Sequence, residues 1–166
     1  EVYYREAWLR KDTDIEFQLA DILLPDGVLR VDKAMSVNPV EAHLGHYALP
    51  HLTNTIKEKT IKKHGYTAYV IENEKHQLAM VPLYGWKEVG FEHTSGLHPE
   101  SDECTVLNAK EIFTGEKIFV TLLLWNKAGM KVDNKRLFPV KDVLVSHDKK
   151  SVTVLLNDGT RKEVVW

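Results

Sequence analysis

Hydrophobic and polar residues alternate with a period of two along much of the chain, which is the pattern of half-buried β-strands. The segment DIEFQLA at residues 14–20 shows this alternation, and a Pro-Asp-Gly turn at 25–27 leads into a second extended run. The same arrangement recurs at 66–84, where a polar turn at 72–76 separates two apolar runs. Both segments predict β-hairpins.

Two further apolar runs, CTVLNAKEIF at 104–113 and KIFVTLLLWN at 117–126, are separated by Thr114, Gly115 and Glu116. The second run is almost continuously apolar, which predicts a central strand covered on both faces. Three short strands divided by HDKK and NDG follow in residues 140–166, since Asn, Asp and Gly favour tight turns. We expect these core residues to be buried: Phe119, Leu122, Leu124, Val154 and Leu156.

Helical periodicity is weak throughout, and the best candidate is TNTIKEKTIKK at 53–63. Its isoleucines are too far apart for an apolar stripe, so we expect a loop or a short helix there. Strands that follow one another closely without intervening helices predict an all-β fold, an antiparallel β-sandwich of about nine or ten strands. The absence of a linker or a repeat predicts one domain over residues 1–166.

The amino-acid composition limits the kinds of molecule that we expect this chain to bind. With 43% hydrophobic residues among 166, the chain can bury one substantial core. Its 22 basic and 24 acidic residues nearly cancel, so we expect no nucleic-acid partner. No apolar run is long enough to span a bilayer, so we expect no membrane partner. The compartment stays open.

The aromatic-rich beginning, EVYYREAWLRK, is unusual for a free N-terminus, which is generally polar and frayed. We therefore expect a fragment or processed portion of a longer chain. Cys104 is the single cysteine, which excludes an internal disulfide and a thiolate-rich metal site.

The segment HLGHYALPH at 43–51 carries three histidines, His43, His46 and His51. On a regular strand the first two point to opposite faces, so they chelate one ion only if a bulge at Gly45 intervenes. We expect histidines at a strand end, with water as their partner, and no metal site.

The segment FEHTSGLHPESDE at 91–103 is a second candidate, predicted to be a loop because of its Gly and Pro. A loop of this composition can gather imidazoles and carboxylates for proton transfer or for an oxygen-rich cation site. A solvated polar loop has the same composition. The candidate residues are His93, His98, Glu100, Asp102 and Glu103.

Aromatic residues flank the second hairpin at Tyr66, Tyr69, Tyr84 and Trp86. Exposed Tyr and Trp rings stack on sugars, although most aromatic residues of a sandwich fill its core. The sequence contains no nucleophile elbow, phosphate-binding glycine loop or H-E-x-x-H motif. We expect no catalytic residues, no cofactor and no metal in this chain.

The runs GYTAYVIENEKHQLAMVPLYGW, HTSGLHPESDE and EKIFVTLLLWN resemble the C-terminal β-sandwich of large bacterial proteins that pair an α/α toroid with a sheet domain, such as heparinase-II/III-like lyases. The resemblance covers roughly residues 15–166. It implies that a helical domain, missing from this chain, carries most catalytic residues and that the sheet domain closes one wall of a glycan cleft. The residues that the resemblance places near such a cleft are His93, His98, Glu100, Asp102, Trp86 and Tyr84.

Two functions remain open from the sequence. The first is an accessory, non-catalytic domain of a carbohydrate-processing protein, which is lyase-like or glycosidase-like. The second is a stand-alone module that binds a glycan or a protein through its loops. An independent enzyme would require a preformed pocket around residues 93–103.

Overall fold

A computed structural model describes residues 2–9, 15–50, 56–73, 76–95, 103–127 and 137–166. The regular elements that it delimits are eleven β-strands, and every described pairing between them is antiparallel. In chain order the strands are β1 (Val2–Leu9), β2 (Ile15–Leu24), β3 (Gly27–Pro50), β4 (Lys57–Lys63), β5 (Tyr66–Glu72), β6 (His76–Tyr84), β7 (Glu88–Thr94), β8 (Cys104–Lys127), β9 (Val140–Val145), β10 (Ser151–Leu156) and β11 (Arg161–Val165).

The strands form two sheets. The main sheet has the order β1-β2-β3-β8-β6-β5-β4, and β7 pairs with the first half of β8. The small sheet has the order β11-β10-β9. The predicted all-β antiparallel sandwich is confirmed, with slightly more strands than the nine or ten expected. Within the described ranges, no helix has the length and apolarity needed to cross a membrane.

The strands β3 and β8 are each 24 residues long and bend together. Their register shifts between Ser36 and Val40, opposite Gly115, which has a φ of 77°. The prediction of two separate strands at 104–113 and 117–126 is therefore wrong: one strand continues through the bend, because an irregular register lets both partners turn without losing their pairing. Beyond the bend, residues 40–50 of β3, residues 104–113 of β8 and the strand β7 form a unit that we call the arm.

The small sheet covers one face of the main sheet with apolar side chains. Leu122 and Leu124 of β8 belong to the same buried cluster as Val152 and Val154 of β10. Of the five predicted core residues, Phe119, Leu122, Leu124 and Val154 are buried, whereas Leu156 is only partly buried.

The arm folds back over the opposite face of the main sheet. Leu107 of the arm packs with Met80 and Leu123 of the main sheet, and the rings of Tyr69 and Phe91 meet edge to face with centroids 5.8 Å apart. The main sheet is therefore covered on both faces, which agrees with the near-continuous apolarity of the second half of β8.

The segment predicted to be a loop or short helix contains the edge strand β4. His64 and Gly65 both have positive φ, 54° and 82°, which is the geometry of a two-residue hairpin turn. Ile61 packs against the apolar core, whereas Lys57, Lys59 and Lys62 are exposed, as is common on an edge strand. Pairing with β5 thus determines the structure here, because this segment lacks a helical stripe of its own.

Candidate functional site

The chain crosses from the main sheet to the arm through Tyr84, Gly85 and Trp86. Gly85 has a φ of 88°, and a Cβ atom there would lie 2.2 Å from the backbone oxygen of Ile118. The Trp86 ring stacks on Phe119 with centroids 4.1 Å apart, and its Nε1 donates a hydrogen bond of 2.8 Å to Oγ1 of Thr121. Trp86 therefore fixes the start of the arm, while Tyr84 is 44% exposed.

His93 lies near the end of the strand β7, not in a loop as predicted, because β7 pairs with β8 from Glu88 to Thr94. Its Nε2 is 2.9 Å from Oε1 of Glu58, and Oγ1 of Thr105 donates to the same oxygen over 3.3 Å. Since Glu58 belongs to β4, this contact joins the tip of the arm to the far edge of the main sheet. Of the other candidates of the segment, Glu103 is exposed and directly precedes β8, whereas His98, Glu100 and Asp102 lie outside the described residues.

The outward face of the arm carries a row of charged residues across paired strands. Glu88 of β7 and His43 of β3 both stand opposite Lys110 of β8. The ammonium of Lys110 is 2.5 Å from a carboxylate oxygen of Glu92. This hydrogen bond lowers the pKa of Glu92 below its ordinary value, with a further contribution from the side chain of Asn108, and it raises the pKa of Lys110.

These residues surround a cavity of about 210 Å³, which we call the arm depression. The described residues that line it are Glu88, Val89, Gly90, Phe91, Glu92, Asn108 and Lys110. A smaller adjoining cavity of about 70 Å³ shares Glu88 and Lys110 and is also lined by Glu41 and Glu111.

Two buried acceptors lie along these cavities. Oδ1 of Asn108, a residue that is 3% exposed, has no hydrogen-bond partner among the described residues. The same holds for Oε2 of Glu111, although its other oxygen is 3.1 Å from the ammonium of Lys117. An arrangement with spare acceptors can bind a ligand that brings hydrogen-bond donors.

A larger cavity of about 500 Å³ lies at the far end of the sandwich, between the β4–β5 turn and the small sheet. Apolar residues including Phe138 and Leu156 share its wall with His64 and Asp158. The carboxylate of Asp158 already accepts a hydrogen bond from the backbone of Thr160, which lowers the pKa of Asp158. Among the described residues that line this cavity, no buried side-chain acceptor lacks a hydrogen-bond partner. The arm depression is therefore the more specific candidate for a ligand site.

The histidine segment lies within the strand β3, and the strand carries an irregularity there. Leu44 pairs with Ala109 and Tyr47 pairs with Leu107, so two residues of β3 oppose Asn108. The extra residue is a β-bulge at Gly45 and His46, which is the irregularity identified from the sequence as the condition for His43 and His46 to share a face.

The environment of His43 also differs from the expected strand end with a water partner. His43 lies inside β3, and its Nε2 pairs with the carboxylate of Glu41. The side chain of His46 and the whole of His51 lie outside the description. Across the side chains that are described, no three His, Cys, Asp or Glu residues cluster as metal ligands. The absence of a metal site on the three histidines stays a prediction.

Sequence reasoning missed Asn108, Lys110 and Glu92. It also missed Glu58, which is the partner of His93. One signal was available, since Asn108 is an amide inside the apolar run CTVLNA, and a buried amide in a strand needs partners. The pairing of β7 with β8, which brings Glu92 beside Asn108 and Lys110, had no comparable signal.

Comparisons with known proteins show similarity to solved structures. No protein-family model and no curated protein matches the sequence. Among solved structures, heparan sulfate lyase HepC from Pedobacter heparinus superposes on the entire chain with a TM-score of 0.56 at 12% identity, and a mutant of the same lyase gives 0.53 at 13%. A heparinase III with methylated lysines gives 0.54 at 11%.

At these identities the likeness is one of fold. The chain spans 28% of the length of the Pedobacter lyase and 27% of that of the heparinase III. The resemblance noted in the sequence is thus confirmed as a shared β-fold that forms part of a larger lyase chain in those proteins.

Proposed function

We propose that this chain is an accessory, non-catalytic β-sandwich domain of a larger bacterial carbohydrate-processing protein, placed after a helical domain and closing one wall of a glycan cleft. The observation that carries the proposal is the asymmetry of the structural match. All of this chain superposes on little more than a quarter of a heparan sulfate lyase. The remaining length of such a protein is where we place the catalytic residues.

The arm supports this role by its construction. It is attached to the main sheet through the Trp86–Thr121 hydrogen bond and the contact between His93 and Glu58, while its outward face presents charged residues. A rigid attachment with a polar outer face suits a wall that contacts a hydroxylated polymer. Of the described candidates for facing the cleft, His93, which is 65% exposed on its side chain, and the half-exposed Tyr84 present the most surface. Trp86 is instead partly buried by its stacking on Phe119.

Lyase activity tests the proposal directly. The purified 166-residue chain and the full parent chain are assayed for the ultraviolet absorbance of unsaturated uronic acid products, on heparan sulfate and on other acidic polysaccharides. We expect turnover by the parent chain and none by the isolated chain, because the described residues offer no assembled acid, base and charge-neutralising set.

Two results would contradict the proposal. Turnover by the isolated chain that is abolished by His93→Ala, but kept in the matched variant His64→Ala, would move catalysis into this domain. A parent chain with no additional helical domain would instead favour a stand-alone glycan- or protein-binding module.

A further inference from the structure

We propose that the arm depression is a binding site for one neutral sugar ring, which it recognises through adjacent hydroxyl groups, with Asn108 as the central acceptor. This proposal deepens the proposed glycan-cleft role and rests on it for the physiological setting. The site itself follows from the described side chains.

The unpaired amide oxygen of Asn108 is the first argument. The Asn108 side chain hydrogen bonds to the Glu92 carboxylate, which uses the amide as a donor and leaves Oδ1 as an acceptor. A buried acceptor without a partner costs free energy, and most such groups in folded proteins are paired. A donor supplied by a ligand in the depression removes this cost.

The charge of the lining is the second argument. Glu88 and Glu92 stand against Lys110, and the ammonium of Lys110 already pairs with Glu92. The adjoining cavity adds the carboxylates of Glu41 and Glu111. A sulfated or carboxylated sugar would meet this surplus of negative charge, so the site discriminates against it.

The chemistry of hydroxyl groups is the third argument. Each hydroxyl donates one hydrogen bond and accepts others, so an adjacent pair can donate to Asn108 and Glu92 while accepting from Lys110. Calcium fits less well, because it takes six to eight oxygen ligands and the ammonium of Lys110, which pairs with Glu92, already places a cation among the carboxylates. A volume of about 210 Å³ is smaller than the roughly 300–1,000 Å³ typical of drug-sized ligands, which suits a single ring.

Nuclear magnetic resonance of the isotope-labelled 166-residue chain tests the site. The chain is titrated with methyl β-glucopyranoside, methyl β-galactopyranoside, glucose 6-sulfate and calcium chloride in separate experiments. We expect at least one neutral glycoside to shift amides at 88–92 and 108–110. We expect glucose 6-sulfate to bind the same amides at least about tenfold more weakly.

Variants identify the groups responsible. Asn108→Leu should weaken neutral-glycoside binding by at least about tenfold while keeping the size of the side chain. The exposed Asn38, which lies at the bend of β3, provides the matched control Asn38→Leu, with unchanged binding. If Asn108→Leu fails to fold, the variant Glu92→Gln replaces it in the test. Glu92→Gln removes the charge of the Glu92 acceptor while keeping its volume, so it should also weaken neutral-glycoside binding.

Any of three results would overturn the proposal: no shift of these amides with either neutral glycoside, equal binding by the decisive variant and the wild type, or stronger binding of glucose 6-sulfate or calcium at the same amides. These results are distinguishable from failure of the proposed function. The lyase assay of the parent chain can succeed even when the depression binds no neutral sugar.

Discussion

The two covered faces of the main sheet are built differently. On the face toward the small sheet, the buried cluster consists of apolar side chains such as Leu29, Val31 and Val152. On the face toward the arm, apolar clusters share the layer with buried polar residues, including Asp21 and Thr121. Nε of Arg30 lies 2.9 Å from a carboxylate oxygen of Asp21 on this side.

The two faces contribute differently to the fold: the face toward the small sheet mainly adds stability, and the face toward the arm mainly determines how the strands are positioned. Apolar burial is non-directional, so the small sheet stabilises the fold without requiring a particular alignment of polar groups. Buried polar groups are favourable only when their partners lie at the correct positions, so the arm side defines how β7 and β8 are placed. The candidate site lies on the side whose geometry is fixed by such contacts.

The largest expected effect on the free energy of unfolding is at Gly85, where the chain crosses from the main sheet to the arm. Gly85→Ala should destabilise the protein by roughly 4 kcal/mol or more, because it combines a positive φ with a Cβ atom 2.2 Å from the oxygen of Ile118. Gly65→Ala is the matched control, since Gly65 has a φ of 82° and an added Cβ atom there would meet nothing within 4 Å. It should cost about 1–2 kcal/mol. Equal losses in urea unfolding would show that the crossing at Gly85 does not approach Ile118 of β8 this closely.

A second change tests the apolar face. Leu122→Ala should lower the free energy of unfolding by about 2–5 kcal/mol, because Leu122 is fully buried against the small sheet. Leu144→Ala, at a half-exposed position of β9, should change it by only about 0.5 kcal/mol or less. Calorimetry or chemical unfolding of both variants makes the comparison, and similar losses would argue against the packing of the small sheet on this face.

A third change tests the polar contacts of the arm side. Trp86→Phe should cost about 1–3 kcal/mol, because it removes the donor to the buried hydroxyl of Thr121. Combining it with Thr121→Val removes both partners, so the double variant should lose less than the sum of the single losses. Additive losses in a double-mutant cycle would mean that the hydrogen bond contributes nothing to the attachment of the arm.

The smallest expected effect concerns the ion pair on the outward face. Because the pKa of Glu92 is lowered in the folded chain, its stabilising contribution is present above the ordinary pKa of 4.5 and is lost as the pH falls through the lowered value. Glu92→Gln should therefore melt slightly below the wild type at neutral pH and together with it in strong acid. Salt should reduce the difference at neutral pH, since the pair is exposed. A difference that is independent of pH would assign the effect of the variant to packing instead.

Local patterns in the sequence are sufficient to predict most strands and several of their turns. Alternation in residues 14–20 and the turn at 25–27 predict the β2–β3 hairpin, and the apolar run at 117–126 predicts a strand covered on both faces; both are confirmed. These predictions succeed because the period of side-chain direction and the turn preferences are local properties of the chain.

Contacts between distant segments settle what these local patterns leave open. Gly115 favours a break between two strands, yet β8 continues past Gly115 because it stays paired with β3 on both sides of this residue. The segment around Ile61 likewise forms a strand because it pairs with β5. The arm depression likewise depends on Glu92 of β7 lying beside Asn108 of β8. Such features escape sequence-based prediction because register and layer packing are set by long-range contacts, whose free energy no single stretch of sequence contains.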